Sequence, residues 1–191
     1  MNQVELMKIL QKLSREHEKR IFLLKEIAAY SGLPRPQVAM SLLRALDKGI
    51  VWRVKNHWIN RLDPPTLEEL ALSLISPSYI SFETALYHHH ILSQSPRGSL
   101  TLATTSRPRK IDTPLGRIEA IHLKKDLFCG YDSRRMALPE KAWLDLQYIR
   151  SRKGLQFPEV FYLDLLDQKK LKKFGTFLGL LFPSNNILKK Y

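Results

Sequence analysis

The sequence predicts an α+β protein of two domains. The N-terminal domain is helical and ends in a short β-ribbon, and the C-terminal domain mixes helices with antiparallel strands. Residues 24–59 switch between helical and strand periodicity around glycine and proline breaks. Prolines 64 and 65 mark the boundary, because two consecutive prolines end any strand and stiffen a short link. Behind them, residues 100–123 form three alternating segments separated by turn signals, which is typical of an antiparallel meander.

Residues 24–59 follow the order helix, tight turn, helix and two-stranded ribbon. Apolar residues recur at helical spacing from position 24, and Gly32 ends this helix because glycine tolerates positive φ. The next helix runs from about Arg35 to Lys48, since prolines 34 and 36 fit only in the first turn of a helix. With an amphipathic helix near the start of the chain, this order predicts a winged helix-turn-helix domain over residues 1–62.

The second of these helices has two faces at about 100° per residue. Its apolar face holds Val38, Leu42, Ala45 and Leu46, and its hydrophilic stripe holds Gln37, Ser41, Arg44 and Lys48. Such a helix fits the major groove of double-stranded DNA, and a basic hairpin beside it can hold the phosphate backbone. We therefore predict DNA binding through two sets of residues: Arg35, Gln37, Ser41, Arg44 and Lys48 on the helix, and Arg53, Lys55, Asn56 and His57 on the wing.

Each of these side chains suits a particular contact. Arg44 can donate two hydrogen bonds to guanine, Gln37 can pair with adenine, and Ser41 can reach either a base or a phosphate. Arg35 begins the helix, where the helix dipole favours a phosphate. The wing residues are expected to hold the backbone or probe the minor groove. The alternative is a winged helix that docks onto another protein.

The positive charge of the chain also favours nucleic-acid binding. The formal net charge is +13, and residues 1–62 hold 12 Lys/Arg against 5 Asp/Glu. Such an excess attracts polyanions, of which nucleic acid is the commonest, although a basic protein without a nucleic-acid partner is the alternative. Cys129 is alone, which excludes an intrachain disulfide. The start of the chain is too polar for a signal peptide and no apolar run is long enough to cross a bilayer, so we expect a cytoplasmic protein without a membrane partner.

The C-terminal domain is predicted over residues 66–191. Thr66 and Glu69 form a capping box at the start of a helix that ends near position 75. Ser81, with Thr84, is expected to begin a second helix, and a longer one begins at Pro139. Strands are expected over residues 100–105, 110–113 and 117–123, and the chain after residue 157 is expected to be helical in pieces.

No motif in the sequence indicates catalysis. His88-His89-His90 cannot chelate one ion from a helix, because consecutive side chains point about 100° apart, so one packed and two solvated histidines are expected. Glu140-Lys141 with Asp112 and Glu119 resembles the acidic set of a nuclease at the wrong spacing. A capping carboxylate followed by an outward lysine is the expected role of that pair. We therefore expect no enzymatic activity, no cofactor and no metal site, with a metal-dependent nuclease as a less favoured alternative.

Two phrases of the C-terminal domain point to a known family. They are Tyr79-Ile80-Ser81-Phe82-Glu83-Thr84-Ala85-Leu86 and Pro139-Glu140-Lys141-Ala142-Trp143-Leu144-Asp145-Leu146. In this order, with the predicted strands around residues 100–104 and 113–116 between them and a winged helix in front, they resemble the AbiEi family. These proteins are antitoxins and transcriptional autoregulators of type IV toxin–antitoxin (abortive infection) systems. The likeness covers most of the chain.

The resemblance implies two activities. A winged helix of this family represses its own operon by binding an inverted repeat in the promoter, and the C-terminal domain counters a co-transcribed nucleotidyltransferase-like toxin. The expected partners are therefore double-stranded DNA and a cognate toxin. The chain departs from the family in a short, Lys-rich ending. Its clusters at 169–173 and 189–190 are solvated faces, a second contact to DNA flanking the operator, or a docking site for an acidic partner. A stand-alone winged-helix regulator without a toxin partner is the main alternative.

Overall fold

The computed structural model describes residues 1–94, 96, 98–154 and 161–177. It has an α+β architecture with two separate sheets, one of three strands and one of four. The described chain divides into two compact units, built from Met1–Leu74 with Thr113–Leu115 and from Ile75–Asp112 with Gly116–Tyr191. We call them the N-terminal and the C-terminal unit.

The N-terminal unit alternates helices with the strands of one small sheet. Its elements are α1 (Gln3–His17), β1 (Ile21–Leu23), α2 (Leu24–Ser31), α3 (Arg35–Asp47), β2 (Val51–Val54), β3 (His57–Asn60) and α4 (Leu67–Leu74). The strand order is β1-β3-β2 and both pairings are antiparallel, with Ile59 opposite Ile21 on one side and Trp52 on the other. The two central helices and the ribbon lie where the sequence predicts them. Strand β1 is missing from the prediction, because three residues are too few to show a period.

Local signals set the bounds of these helices. Asn2 caps α1 in a capping box with Glu5, and Gly32 ends α2 at φ +68°, a conformation that costs glycine little. Pro36 occupies the first turn of α3, where no backbone N–H is needed. The helices then bury one face each in a shared core formed by Leu6, Leu10, Leu13, Phe22, Ile27, Ala28, Val38, Leu42, Ala45, Val51 and Trp58.

Helix α4 belongs to the N-terminal unit, although the sequence places the domain boundary before it. The predicted capping box is present: the Thr66 N–H donates to Glu69, whose own N–H donates to the Thr66 hydroxyl. Glu69 also accepts a hydrogen bond from Arg20 over 3.4 Å. This ion pair helps to join α4 to the preceding strands, and the structure divides after Leu74 rather than at prolines 64 and 65.

The C-terminal unit packs three helices around a four-stranded sheet. Its elements are β4 (Ser78–Ile80), α5 (Phe82–His88), β5 (Ser99–Thr104), β6 (Arg109–Thr113), β7 (Gly116–His122), α6 (Pro139–Lys153) and α7 (Gln168–Phe177), with single 3-10 turns at Lys125–Leu127 and Leu163–Leu165. Helix α5 packs against β5 and α6, and α6 packs against α7. Of the helical pieces expected after residue 157, α7 is present, whereas residues 157–160 and 178–191, with the lysines at 189–190, lie outside the described residues.

The predicted antiparallel meander is wrong, because β5 and β7 run parallel. The strand order is β4-β5-β7-β6, with Leu100 opposite Ile118 and Thr104 opposite His122. Strand β5 buries every residue from 100 to 104, so both of its faces are covered, and it lies between β4 and β7 in the sheet. Strand β7 supplies buried apolar residues there, whereas β6 buries only Ile111 and exposes charged side chains, as suits an edge strand.

A buried polar network joins β4 to α6. Lys141 is 0% and Asp145 2% exposed, and the Lys141 ammonium donates to Asp145 Oδ1. It also donates to the Tyr79 hydroxyl over 2.9 Å, and this hydroxyl donates to Asp145 Oδ2 over 2.8 Å. The Ser81 hydroxyl completes the network with a 2.7 Å hydrogen bond to the same oxygen. Every charged group of this cluster thus has a partner, as buried charges require.

One sequence expectation fails at this network. Lys141 does not point outward, and Gly130 makes room for it, because a Cβ at that position would lie 2.9 Å from Lys141 Cγ. Ser81 precedes the first residue of α5 as predicted, and its hydroxyl donates to Asp145 and makes no hydrogen bond to the helix. Burial raises the pKa of the Asp145 carboxyl, although Lys141 opposes this effect. Burial and the adjacent Asp145 also raise the pKa of Tyr79 far above its ordinary range.

Two further contacts surround the network. Arg150 Nη2 donates to Glu83 Oε1 over 3.0 Å, and the Asp167 N–H donates to Glu140 Oε1 over 3.1 Å. Glu140 is therefore buried at the start of α6 and holds the beginning of α7. The two phrases that resemble the AbiEi family, 79–86 and 139–146, thus pack against each other through their polar residues.

We expect Asp145→Asn to destabilise the C-terminal unit by about 3–5 kcal/mol, because it leaves the Lys141 ammonium buried without a carboxylate. Amide hydrogen exchange measures this loss in each unit separately. Asp164→Asn is the matched control, since Asp164 is exposed in the same unit and should change stability by less than about 0.5 kcal/mol. Equal protection of the α6 amides in both variants would show that the ion pair contributes no stability.

Candidate nucleic-acid interface

Helix α3 presents one broad exposed face, which we call the outer face of α3. It is formed by Arg35, Pro36, Gln37, Met40, Leu43, Arg44 and Asp47. The opposite side buries Val38, Leu42 and Ala45 in the core, where α3 packs against α1 and α2. The apolar side is therefore the predicted one, and Arg35, Gln37 and Arg44 point outward as expected.

The centre of the outer face differs from the predicted hydrophilic stripe. Met40 and Leu43 occupy it, with 52% and 39% of their surface exposed. Gln37 and Arg44 lie on one flank, since each is one helical turn from Met40. Asp47 is the carboxylate on this face, near the end of the helix. The outer face is thus an apolar centre with polar and cationic edges.

The prediction that Ser41 contacts DNA is wrong. Its side chain is buried, with 4% of the residue exposed, and its hydroxyl lies 2.8 Å from the Met1 carbonyl oxygen and 3.1 Å from that of Gln37. The position lies only about 60° from Val38 around the helix, on the side that the start of α1 covers. The single hydroxyl proton is used inside the unit and cannot reach a base.

Lys48 follows α3 and lies beside α1. Its ammonium donates to Gln3 Oε1 over 2.7 Å, and Gln3 Nε2 donates to the Arg44 carbonyl oxygen over 3.5 Å. Lys48 is nevertheless exposed, and an ammonium has three donors, so it keeps capacity for a phosphate. Its position at the flank favours a backbone contact over a base contact.

The wing is the two-residue turn Lys55-Asn56 between β2 and β3. Lys55 adopts a positive φ of 54°, and both turn residues are exposed. The Arg53 guanidinium carbon lies 5.2 Å from the centroid of the Trp58 ring, and Arg53 Nε donates to the Lys55 carbonyl oxygen over 3.3 Å. Within the described residues, neither Arg53 nor Lys55 forms a salt bridge. The tip therefore presents two available cations, one of them held against an aromatic ring.

His57 differs from the other wing residues. It is half-buried, and its Nδ1 atom is buried without a hydrogen-bond partner among the described residues. Burial lowers the pKa of His57, Glu26 opposes this, and the nearby Lys55 lowers it further. A neutral, half-buried imidazole is a weaker phosphate ligand than the predicted charged contact.

Arg61 is a further exposed cation that the sequence prediction does not include. Its guanidinium carbon lies 5.5 Å from the centroid of the Trp52 ring on β2, and its backbone N–H donates to the Ile50 carbonyl oxygen over 3.2 Å. This arrangement repeats the pairing of Arg53 with Trp58. An alternation of Arg and Trp along residues 52–61 is the signal that could have indicated it.

Several carboxylates of the N-terminal unit form ion pairs with cations of the same unit. Glu26 pairs with Lys19 over 2.8 Å, and Asp63 pairs with Arg20 over 3.1 Å. Hydrogen bonds from Ser14 and Arg20 lower the pKa of Asp63. None of these ion pairs includes a residue of α3, and no cation of α3 forms a salt bridge within the described residues. The outer face and the wing therefore combine several free cations with one acidic residue, Asp47.

Each carboxylate considered for catalysis has a different partner in the structure. Asp112 pairs with Arg117 over 2.7 Å and Glu119 with Lys110 over 2.9 Å, while Glu140 is buried. No group of three or more His, Cys, Asp or Glu side chains among the described residues has the geometry of a metal site. His89 is half-buried against the Ala137 carbonyl oxygen and its two histidine neighbours are exposed, as the sequence predicts. Across the described chain, no helix combines the length and apolar character that crossing a bilayer requires.

No family model and no curated protein matches the chain. Among solved structures, the chain is similar to the crystal structure of the RV2827C protein from Mycobacterium tuberculosis. The two superpose with a TM-score of 0.58 at 14% sequence identity, over 92% of this chain and 72% of that chain. At this identity the likeness concerns the fold alone. The α+β architecture is therefore shared along most of the chain.

We expect the N-terminal unit to lose stability as the pH falls from about 7 to about 5. The unfolded chain binds a proton at His57 in this range, whereas the folded state resists it because the pKa of His57 is lowered. His57→Gln should flatten the pH dependence, measured as the free energy of unfolding by amide hydrogen exchange. His17→Gln, at an exposed position on α1, should leave it unchanged. A wild-type stability that is constant over this range would contradict the inferred burial.

Proposed function

We propose that the chain is a DNA-binding transcriptional regulator whose N-terminal unit is a winged helix-turn-helix. The observation that carries the proposal is the outer face of α3, which is exposed and bears Arg35, Gln37 and Arg44 beside a wing with two free cations. The order α1–β1–α2–α3–β2–β3 with an antiparallel ribbon supports this assignment, since winged helices use the helix before the ribbon for recognition.

The proposed contacts follow from the position of each side chain. Arg44 and Gln37 lie one turn either side of Met40 and suit base edges in the major groove, guanine for the first and adenine for the second. Arg35 begins α3 and suits a phosphate. Lys48, Arg53, Lys55 and Asn56 are proposed to hold the backbone on the two sides of the groove, and Arg61 joins them.

We further propose that the protein is an operon autorepressor and the antitoxin of a nucleotidyltransferase-like toxin. The support is the resemblance to the AbiEi family, whose two phrases meet here in one buried network at Tyr79, Ser81, Lys141 and Asp145. This network gives the phrases a common structural role in the C-terminal unit. The activity against a toxin is then assigned to that unit, and DNA binding to the N-terminal one.

We expect Arg44→Ala to weaken binding to the protein's own promoter by roughly 1–3 kcal/mol and to relax the base preference at one position. Lys55→Ala should weaken binding to all sequences alike and reduce the slope of log affinity against log salt by about 0.9. Fluorescence anisotropy with promoter and scrambled duplexes measures both quantities. Lys8→Ala, at an exposed position on α1, is the matched control.

Two results would contradict these roles. Equal losses on promoter and scrambled duplexes for Arg44→Ala would remove its assignment to a base. Failure of the wild-type chain to distinguish its promoter from the scrambled duplex would refute the regulator proposal as a whole.

The antitoxin proposal predicts a nucleotidyltransferase-like gene in the same operon, and co-expression with that gene is its own test. We expect the wild-type chain to restore growth of an arrested culture, and Arg44→Ala to restore it equally, because toxin neutralisation is assigned to the other unit. Growth is measured as colony-forming units after induction. Persistent arrest with the wild-type chain would refute the antitoxin role and leave the regulator proposal standing.

A further inference from the structure

We propose that Met40 and Leu43 recognise thymine methyl groups, so that the operator carries thymines opposite the centre of α3. The inference rests on the proposed function and deepens it, because it assigns specificity to two apolar side chains. The sequence pattern placed a serine at the centre of the recognition surface, and the structure replaces it with this apolar pair.

The position of the pair on α3 is the first argument. Met40 and Leu43 are three residues apart and are therefore neighbours on the helix surface. They are 52% and 39% exposed, whereas Val38, Leu42 and Ala45 on the opposite side of α3 are buried in the core. Arg44 adjoins Leu43 in sequence and lies one turn beyond Met40, so a helix docked through Arg44 brings both apolar side chains into the groove.

The chemistry of the major groove is the second argument. Its floor offers hydrogen-bond donors and acceptors from all four bases, and its apolar group is the thymine C5-methyl. A methionine or leucine opposite a donor or acceptor leaves that group without a partner, which costs affinity. Opposite a thymine methyl, the same side chain gains from removing apolar surface from water.

A protein partner at this face is the competing occupant. A stable interface buries about 800 Å² on each partner, and its centre is depleted of charge. The apolar part of the outer face of α3 consists of two side chains, with Arg44 beside them, Arg35 at the start of the helix and Asp47 near its end. The surrounding cations complement a polyanion and favour a duplex over a second copy of this chain. Asp47 suits a cytosine amino group at the end of the same groove contact.

The test compares thymine with uracil, which differs from it by the methyl group. The probe is the duplex that the wild-type chain enriches from a randomised pool, made with uracil at one thymine position at a time. We expect uracil to weaken binding about fourfold at each contacted position. Met40→Ala and Leu43→Ala should each bring the thymine-to-uracil ratio close to one at a single position, measured by fluorescence anisotropy. Val4→Ala is the control, because Val4 is an apolar residue of the same unit with 61% exposure.

The outcomes distinguish this inference from an interface with a second copy and from failure of the proposed function. Enrichment of a sequence whose uracil versions bind as tightly as the thymine duplex would refute this inference and leave the proposed function intact. Unchanged thymine-to-uracil ratios in Met40→Ala and Leu43→Ala would refute it as well. Loss of a dimer in sedimentation by Met40→Ala, with the ratio unchanged, would assign the face to a second copy. No enrichment of any sequence would refute the proposed function itself.

Discussion

The packing of α3 against α1 and α2 determines which side chains of this protein can meet a partner. Val38, Leu42 and Ala45 are committed to the shared core, and this leaves one arc of the helix exposed. The start of α1 covers a further strip, where Met1 and Gln3 engage Ser41, Arg44 and Lys48 through backbone and side-chain hydrogen bonds. The candidate interface is what remains, so its composition depends on core packing and not on helix periodicity alone.

The C-terminal unit depends on a different kind of constraint. The Lys141–Asp145 pair lies in the core between β4 and α6, where removing two charges from water is costly unless both are fully bonded. Tyr79 and Ser81 supply the remaining bonds and thereby fix how the strand meets the helix. These hydrogen bonds have preferred distances and directions, so they define which residues of β4 and α6 lie opposite each other. The polar residues of the two phrases, which lie far apart in the sequence, therefore meet in one network.

The candidate site was predictable where a side chain depends only on its own element. Arg35, Gln37 and Arg44 point outward on α3, and Lys55 and Asn56 form the tip of the ribbon, as helical and strand periodicity indicate. Ser41 and His57 were misplaced because neighbouring elements cover them, and a sequence period carries no information about which neighbour lies on a flank. Met40 and Leu43 were overlooked for the same reason: an apolar residue near an apolar stripe is expected to be buried, and here no element reaches it.

Local chemistry in the sequence was enough to define most helices and the ribbon. The Thr66–Glu69 capping box, Gly32 and Pro36 act within a few residues of themselves, so their effect does not depend on the rest of the fold. The parallel pairing of β5 with β7 and the burial of Lys141 were decided in three dimensions. Strand order depends on backbone pairing between strands that are distant in sequence, and a lysine can be buried only where distant residues supply its partners. Both conditions join residues far apart in the chain, and no local pattern records them.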